Sequence, residues 1–393
     1  MKKTLALFKK ILKSNLMDMY PYKLTFAVTY KCNSKCKTCS IWKKKPENEL
    51  SISEIDKIFS KYNDFSWVDI TGGEIFLRRD IIEITKIIIQ KCRNLYVLHF
   101  PTNGLLPEII VEKTKQILRL NPKKLIVSVS LDGPKEVNDR IRGVPGSFEK
   151  AVQTFSELKK IKNRKLSIFF GFTLSRYNVG YFDKMVEEVK KTLPWVKYND
   201  FHMNIIHGSA HYYHKNPLQV SHSTIKGRVY RNTCSNKRIF RMPETVPYPE
   251  TKVTSFGTVS QHNNKEVEFP AKKVISEIRG FMKKRKLPLN PISYIEKIYL
   301  KLIKKYLITK KTPLPCKALS VSCFIDPHGF VYPCSIMDEK AGSLRDNNYD
   351  LKKILNSEKS RKIIKKIRRG QCPMCWTPCE AYQTILGNLT NLT

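Results

Sequence analysis

A chain of 393 residues with 41% hydrophobic content is long enough for two domains and apolar enough to bury a sizeable core, which excludes a disordered chain. Its 72 Lys and Arg against 34 Asp and Glu leave a formal net charge of +38. That excess points to an anionic partner (membrane surface, nucleic acid, or a phosphorylated or carboxylated substrate) or to a lysine-rich composition alone. No run of about eighteen apolar residues occurs, so no transmembrane helix is expected. The start, Met1-Lys2-Lys3-Thr4-Leu5, has the basic flank of a signal peptide, but Lys9, Lys10 and Lys13 interrupt the apolar stretch that would follow. Eleven cysteines clustered in short motifs suit metal binding in a reducing compartment better than a disulfide framework. The sequons at Asn388 and Asn391 then read as chance matches.

In chain order, the periodicity of 4–17 predicts a helix with Leu5, Phe8, Ile11, Leu12 and Leu16 on one face and Lys9, Lys10 and Lys13 on another. Such a helix can lie on an anionic membrane; packing on its own domain is the preferred expectation. A buried strand at 24–29 runs into the loop Cys32-Asn33-Ser34-Lys35-Cys36-Lys37-Thr38-Cys39. Ser51 and Glu54 form a capping box that opens a helix reaching 62. A strand at 65–71 ends in Gly72-Gly73-Glu74, and a helix covers 80–93. The strand 95–100 ends in Pro101-Thr102-Asn103-Gly104, and a helix covers 106–119. The strand 124–130 ends at Ser130 and leads into Leu131-Asp132-Gly133. A helix at 147–162, a strand at 166–173, a helix at 180–192 and a strand at 198–205 complete the series. This alternation predicts a parallel α/β sheet. Six βα units are too few for a closed eightfold barrel and fit an open partial barrel.

Residues 208–310 break the rhythm and read as an insertion with a helical linker, including a basic amphipathic helix at 292–309. His202, His207, His211 and His214 lack metal-ligand spacing and read as loop lining; Cys234 reads as a bystander. Residues 311–393 read as a small cysteine-rich α+β domain. It holds Cys316, Cys323 and Cys334, a hairpin turning at Pro327-His328-Gly329, a helix at 351–368, and Cys372-Pro373-Met374-Cys375-Trp376-Thr377-Pro378-Cys379. The chain thus divides into an N-terminal helix (1–22), a barrel (23–207), an insertion (208–310) and an auxiliary domain (311–393).

The C-x3-C-x2-C loop can turn three thiolates toward one point. Thiolates select zinc, copper(I) or iron–sulfur clusters. A closed structural zinc site needs four ligands, so a zinc reading requires a distant fourth residue. A four-iron cluster held by three cysteines instead leaves one iron open to a small molecule that chelates through an amine and a carboxylate. Chemistry in parallel α/β folds sits at the carboxyl ends of the strands, where the cysteine loop, Gly72-Gly73-Glu74, Asn103 and Ser130 all fall.

The cysteine loop resembles the signature of the radical S-adenosylmethionine (SAM) superfamily. The resemblance implies that the open iron binds the amine and carboxylate of SAM. An electron from the cluster then breaks the sulfonium bond, and a 5′-deoxyadenosyl radical abstracts hydrogen from substrate. Gly72-Gly73-Glu74 resembles the family's GGE motif, with glycines that let the backbone approach the ligand and a carboxylate for the SAM amino group; by itself it would be a turn. Ser128–Gly133 and Arg140–Gly143 resemble the fourth-strand region of SPASM-type members. This implies that Ser130 and Arg142 hold the SAM ribose and carboxylate, with Arg140 a close competitor. Asn103 is a polar contact or turn chemistry. One departure is Thr38, where the family often has an aromatic residue packing on adenine; Trp42 or Phe76 would have to substitute.

The C-terminal cysteines resemble the SPASM or twitch auxiliary domain. Two fully cysteine-bound clusters need about eight ligands, and six are present. One complete cluster is therefore expected, held by Cys316, Cys334, Cys372 and Cys375 with Cys379 and Cys323 as alternates, or one complete and one open to substrate. A four-cysteine zinc site competes for this domain alone. The expectation is a cytoplasmic radical SAM oxidoreductase or transferase, peripheral to a membrane as an option. It would be fed by an electron donor such as ferredoxin or flavodoxin and act on a peptide, sugar or lipid-like substrate of anionic or membrane-derived character. No residue is singled out as catalytic. The alternatives are a metal-stabilised nucleic-acid-binding protein, which leaves Gly72-Gly73-Glu74 unexplained, and an iron–sulfur electron-transfer protein.

Overall fold

The computed structural model describes residues 2–209, 211–212, 271–286 and 291–392. They belong to one compact unit, Met1–Leu218 with Pro270–Thr393. His214, Cys234 and the polar stretch 215–270 lie outside the described residues.

Helix α1 (Lys2–Leu16) precedes β1 (Lys23–Thr29). Then come α2 (Ile52–Lys61), β2 (Trp67–Gly72), α3 (Ile81–Lys91), β3 (Val97–Thr102), α4 (Pro107–Arg119) and β4 (Lys124–Ser130). They are followed by α5 (Lys135–Arg142), α6 (Ser147–Lys159), β5 (Leu166–Leu174), α7 (Phe182–Thr192) and β6 (Phe201–Ile205). The six strands are parallel and lie in the order β6-β5-β4-β3-β2-β1. The sheet does not close, as expected for a partial barrel.

The strands alternate between two kinds of surface, as the period of two requires. On the helix side, Phe26 meets Phe59 of α2 edge-on, and Phe155 of α6 stacks on Phe170 of β5. The inner side is polar. Lys23 Nζ lies 3.0 Å from Asp69 Oδ2, Asp69 Oδ1 lies 3.2 Å from His99 Nδ1, and His99 Nε2 lies 3.0 Å from Ser128 Oγ. One row thus crosses β1, β2, β3 and β4. Trp67 donates to Asp69 as well. Burial opposes the charge on Asp69, but Lys23 and then His99 outweigh it and hold the carboxyl below its usual range.

The C-terminal region follows as α8 (Ala271–Lys284), α9 (Pro291–Thr309), β7 (Ser322–Ile325), β8 (Phe330–Tyr332), β9 (Gly342–Ser343), α10 (Leu351–Leu355), α11 (Glu358–Arg368) and α12 (Pro378–Leu386). Strand β7 pairs in parallel with β1, and β8 and β9 add antiparallel strands beyond it. The C-terminal hairpin therefore extends the barrel sheet past β1, a pairing between residues some 300 positions apart in sequence that no local pattern encodes.

Three helices differ from expectation. The stretch 351–368 is two helices, because the Ser357 hydroxyl accepts from Ser360 N at 3.1 Å and starts a new one. Helix α5 is short and mostly charged, so its apolar period is hard to see, yet Val137, Asn138 and Ile141 are buried. Helix α12 begins inside the last cysteine motif, capped by Thr377. The sequon at Asn388 is a chance match in structural terms: the residue is buried and its Nδ2 donates to Pro315 O at 3.0 Å and Thr384 O at 2.7 Å.

Lys23 is buried beside Asp69, so removing one partner strands a charge. Lys23→Met is expected to cost about 3–5 kcal/mol in urea unfolding. The double variant Lys23→Met/Asp69→Asn is expected to regain most of that, and strict additivity of the two single losses would refute the pairing.

Candidate active site

The C-x3-C-x2-C loop is held by backbone from several directions. From β2, Gly73 N donates to Thr29 O at 2.7 Å and Glu74 N to Lys31 O at 2.8 Å. From the end of α5, Arg142 O accepts from Lys35 N at 3.1 Å and Ile141 O from Lys37 N at 2.7 Å. Ser40 N donates to Tyr212 O at 2.6 Å. Asn103 Nδ2, from the end of β3, donates to Asn33 Oδ1 at 2.7 Å inside the loop.

The two glycines of Gly72-Gly73-Glu74 serve this attachment. A Cβ on Gly73 would overlap the Lys31 carbonyl, and one on Gly72 the Thr29 carbonyl. What lies against both is the chain leading into Cys32. Gly143 does the same from the other side: its φ of +67° ends α5 in the left-handed region, and a Cβ there would strike Lys35 O.

The side chains above the loop carry opposite charges. Glu74 is 1% exposed; its carboxylate accepts from Asn103 N at 2.7 Å, Thr102 Oγ1 at 3.0 Å and Phe76 N at 3.3 Å. Burial pushes its pKa up to about 7 despite those donors. Arg142 Nη2 lies 2.7 Å from Asp132 Oδ2, and its Nη1 lies 3.9 Å from Cys36 Sγ. Burial works against the guanidinium charge, but Asp132 and Cys36 outweigh it and keep it cationic. Arg140, its neighbour in sequence, is exposed, so α5 turns Arg142 and not Arg140 toward the cysteines. Ser130 ends β4, half-buried beside Gly171 of β5.

Burial pushes the Cys32 thiol up to about 11 and the Cys39 thiol up to about 12, and Cys36 raises both further. Cys32 and Cys39 therefore stay thiols until a cationic group stabilises their thiolates. All described cysteines are free of disulfides. Among the described residues, no three His, Cys, Asp or Glu side chains close around a single metal ion; a four-iron cluster, held at its corners, is larger. At the position before Cys39 stands Thr38. Phe76 is buried edge-on against Phe100. Trp42 stays beside the loop, donating to Cys36 O at 3.3 Å.

A second group of cysteines lines an apolar cavity of the C-terminal region: Cys316, Cys334, Cys372 and Cys375, closed by Ile336 and Ile367. Met337 N donates to Cys334 Sγ at 3.3 Å. Cys379 and Cys323 are not in its lining. Cys379 opens α12, where its carbonyl accepts from Lys23 Nζ at 2.6 Å, and Cys323 is buried on β7 opposite Leu24. The described histidines do not converge. His202 pairs with buried Glu296 at 2.8 Å, His207 packs on Tyr306, and His211 on Phe324 and Tyr332. Sequence reasoning passed over Asn33, Asp132 and the inner row of Lys23, Asp69, His99 and Ser128. The available signal was charge at inward positions of otherwise apolar strands.

Known proteins share this organisation. Residues 26–189 match the model of the Radical SAM superfamily, and residues 316–380 match that of the SPASM iron–sulfur cluster-binding domain. The subtilosin biosynthesis protein AlbA of Bacillus subtilis (strain 168) is 30% identical over 175 residues, which are 43% of this chain and 37% of that protein. The mycofactocin maturase MftC of Mycobacterium ulcerans (strain Agy99) is 32% identical over 172 residues, 42% of each chain. The Fe-coproporphyrin III synthase of Methanosarcina barkeri (strain Fusaro / DSM 804) is 30% identical over 169 residues, 41% of this chain and 40% of that one. The matches thus span about two fifths of the length of these curated relatives. Among solved structures, anSMEcpe with bound AdoMet aligns over 94% of this chain and 98% of its own, with a TM-score of 0.55 at 12% identity, a likeness of fold.

The crowding at Gly73 generates a test. Gly73→Ala must displace the chain before Cys32, so after anaerobic iron–sulfur reconstitution the variant is expected to hold roughly half the iron of the unsubstituted protein. Arg140→Ala, on the exposed side, should load normally; equal loading of Gly73→Ala and the parent would refute the role given to the glycine.

Proposed function

Because the chain belongs to the radical SAM superfamily and carries a SPASM iron–sulfur cluster-binding domain, we propose that it reductively cleaves SAM at the Cys32, Cys36 and Cys39 loop and abstracts hydrogen from a peptide substrate. The observation that carries this reading is the pairing of charges over three clustered thiols. Glu74 is an acid suited to an ammonium group, and Arg142 is a permanent cation suited to a carboxylate. An amino acid moiety bridges such a pair in one orientation.

When bound, a reduced four-iron cluster supplies the electron that splits the sulfonium of SAM into methionine and a 5′-deoxyadenosyl radical. The protein's own groups do the holding. Thr102, Asn103 and Phe76 N fix the Glu74 carboxylate, and an incoming ammonium replaces the proton that burial favours there. Gly72 and Gly73 keep the loop close to β2. Asn103 ties β3 to it through Asn33. Ser130, at the end of β4 opposite Gly171, is assigned to the ribose side of SAM. Cys316, Cys334, Cys372 and Cys375, which line one cavity, are assigned to a single auxiliary cluster, with Cys379 the alternate.

A peptide substrate is supported by the curated relatives, whose names are those of a bacteriocin biosynthesis protein and maturases, and by the fold shared with anSMEcpe, which has been solved with a peptide. A second reading, a carboxylated tetrapyrrole, is favoured by the synthase relatives and by the net charge of +38. A ferredoxin or flavodoxin in a reducing cytoplasm suits the electron demand of either.

Anaerobic incubation of reconstituted, dithionite-reduced protein with SAM is expected to release 5′-deoxyadenosine, and Cys36→Ala to abolish it. Fully iron-loaded protein that releases none would favour electron transfer instead. Fe-coproporphyrin III that accelerates release while peptide extracts do not would favour the tetrapyrrole.

The pKa of Glu74 sets a pH dependence. Raised to about 7, the group is largely protonated below that pH and ionised above it, so SAM affinity is expected to strengthen as pH rises through about 7. Glu74→Gln should weaken binding about tenfold or more above that pH and flatten the profile. A parent profile without slope across this range would overturn the assigned partner.

A further inference from the structure

We infer that α1 is a docking helix for an anionic lipid surface, lying in the plane of the bilayer with its outward stripe in the headgroup region. Four apolar residues of α1 face away from the protein, whereas Ala6, Leu7 and Ile11, the last expected on the same stripe, are half-buried. Leu5 is 54% exposed, Phe8 54%, Leu12 47% and Leu16 85%, and their spacing of three and four puts them in one line along the helix. The helix therefore presents an outward apolar stripe in addition to the apolar residues on its packed side.

The opposite face is what holds the helix. Ser14 is fully buried, and its carbonyl accepts from Lys317 Nζ at 3.0 Å. Lys10 pairs with Asp64 at 2.5 Å. Asn15 Nδ2 donates to Leu386 O at 2.8 Å, and Asn15 Oδ1 accepts from Leu389 N at 2.6 Å. These polar contacts fix the rotation of the helix, so the stripe cannot turn inward.

Charge selects the occupant. Lys2, Lys9 and Lys13 are exposed along one margin of the stripe, and α1 contains no acidic residue. A second copy of the chain meeting α1 about a twofold axis would set these lysines against their own equivalents with no acid in the helix to answer them. An anionic bilayer answers them all at once, each lysine near the surface adding to the attraction while the stripe enters the interface. Among the described residues no helix is long and apolar enough to cross a membrane, so the helix lies along the surface. The chain's net charge of +38 adds a long-range pull toward the same surface.

The test is sedimentation of the full-length, iron-loaded chain with vesicles of phosphatidylcholine alone or with phosphatidylglycerol as roughly a third of the lipid. Binding is expected to the anionic vesicles only. Leu5→Gln/Phe8→Ser/Leu12→Gln is expected to lower the partition coefficient about tenfold or more, with unchanged thermal unfolding and iron content. Lys9→Glu/Lys13→Glu should lower it too and reduce its salt dependence. Binding of the parent chain that survives the stripe substitutions would overturn the proposal, placing the contact on another basic face. So would a lipid-free dimer that those substitutions dissolve.

Discussion

The loop that carries Cys32, Cys36 and Cys39 has no secondary structure of its own to hold it. Its position depends on backbone hydrogen bonds from the ends of β2 and α5, and on the absence of Cβ atoms where those segments touch it. Carbonyls of Thr29 and Lys31 are taken by Gly73 and Glu74, and amides of Lys35 and Lys37 by the last carbonyls of α5. A cluster ligand set must be fixed to fractions of an ångström, and main-chain contacts at both ends supply that without spending side chains. The same contacts settle where Glu74 and Arg142 stand, since each is adjacent to the peptide that makes the attachment.

Charge inside this barrel is handled by pairing. Asp132 holds Arg142, Asp69 is shared by Lys23 and His99, and buried Glu296 is met by His202 and Arg285. Each acid has a cation within hydrogen-bond distance, which is the condition for a buried charge to persist. Glu74 differs: its oxygens are met only by neutral donors, and burial lifts its pKa toward neutrality; Glu380 of α12, held by Ser322 and Gln383, is a second such acid. What sets Glu74 apart is its place beside the cysteine loop, where it is proposed to meet a cationic ligand.

Strand β7 beside β1 makes the C-terminal region part of the same sheet. Through that pairing and the Lys23–Cys379 contact, α12 and the second cysteine group are built onto the strand that leads directly into the first. The polar anchoring of α1 reaches the same C-terminal segment, at Leu386 and Leu389.

Much of this was legible in the residues. Alternating buried strands and amphipathic helices announced the parallel sheet, because periods of two and 3.6 are local properties of the chain. Cysteine spacing announced two thiolate metal centres, because a thiolate's preference for soft metals does not depend on the fold around it, and the resemblance of the motifs made them iron–sulfur groups. The arithmetic of six C-terminal cysteines limited the auxiliary ligands to four with two alternates, and the structure adds that Cys316, Cys334, Cys372 and Cys375 line one cavity. Arg142 could not be told from Arg140 until α5 assigned them to different faces. The two glycines read as room for a ligand, and the structure adds that they also make room for the chain leading into the cysteine loop. The face that α1 turns to solvent was likewise undecided, since amphipathic periodicity gives a helix two faces without saying which one packs. Each of these choices rests on contacts between segments far apart in sequence. A linear pattern carries a residue's own chemistry and its period, whereas its neighbours across the fold are set only when the strands pair and the helices dock.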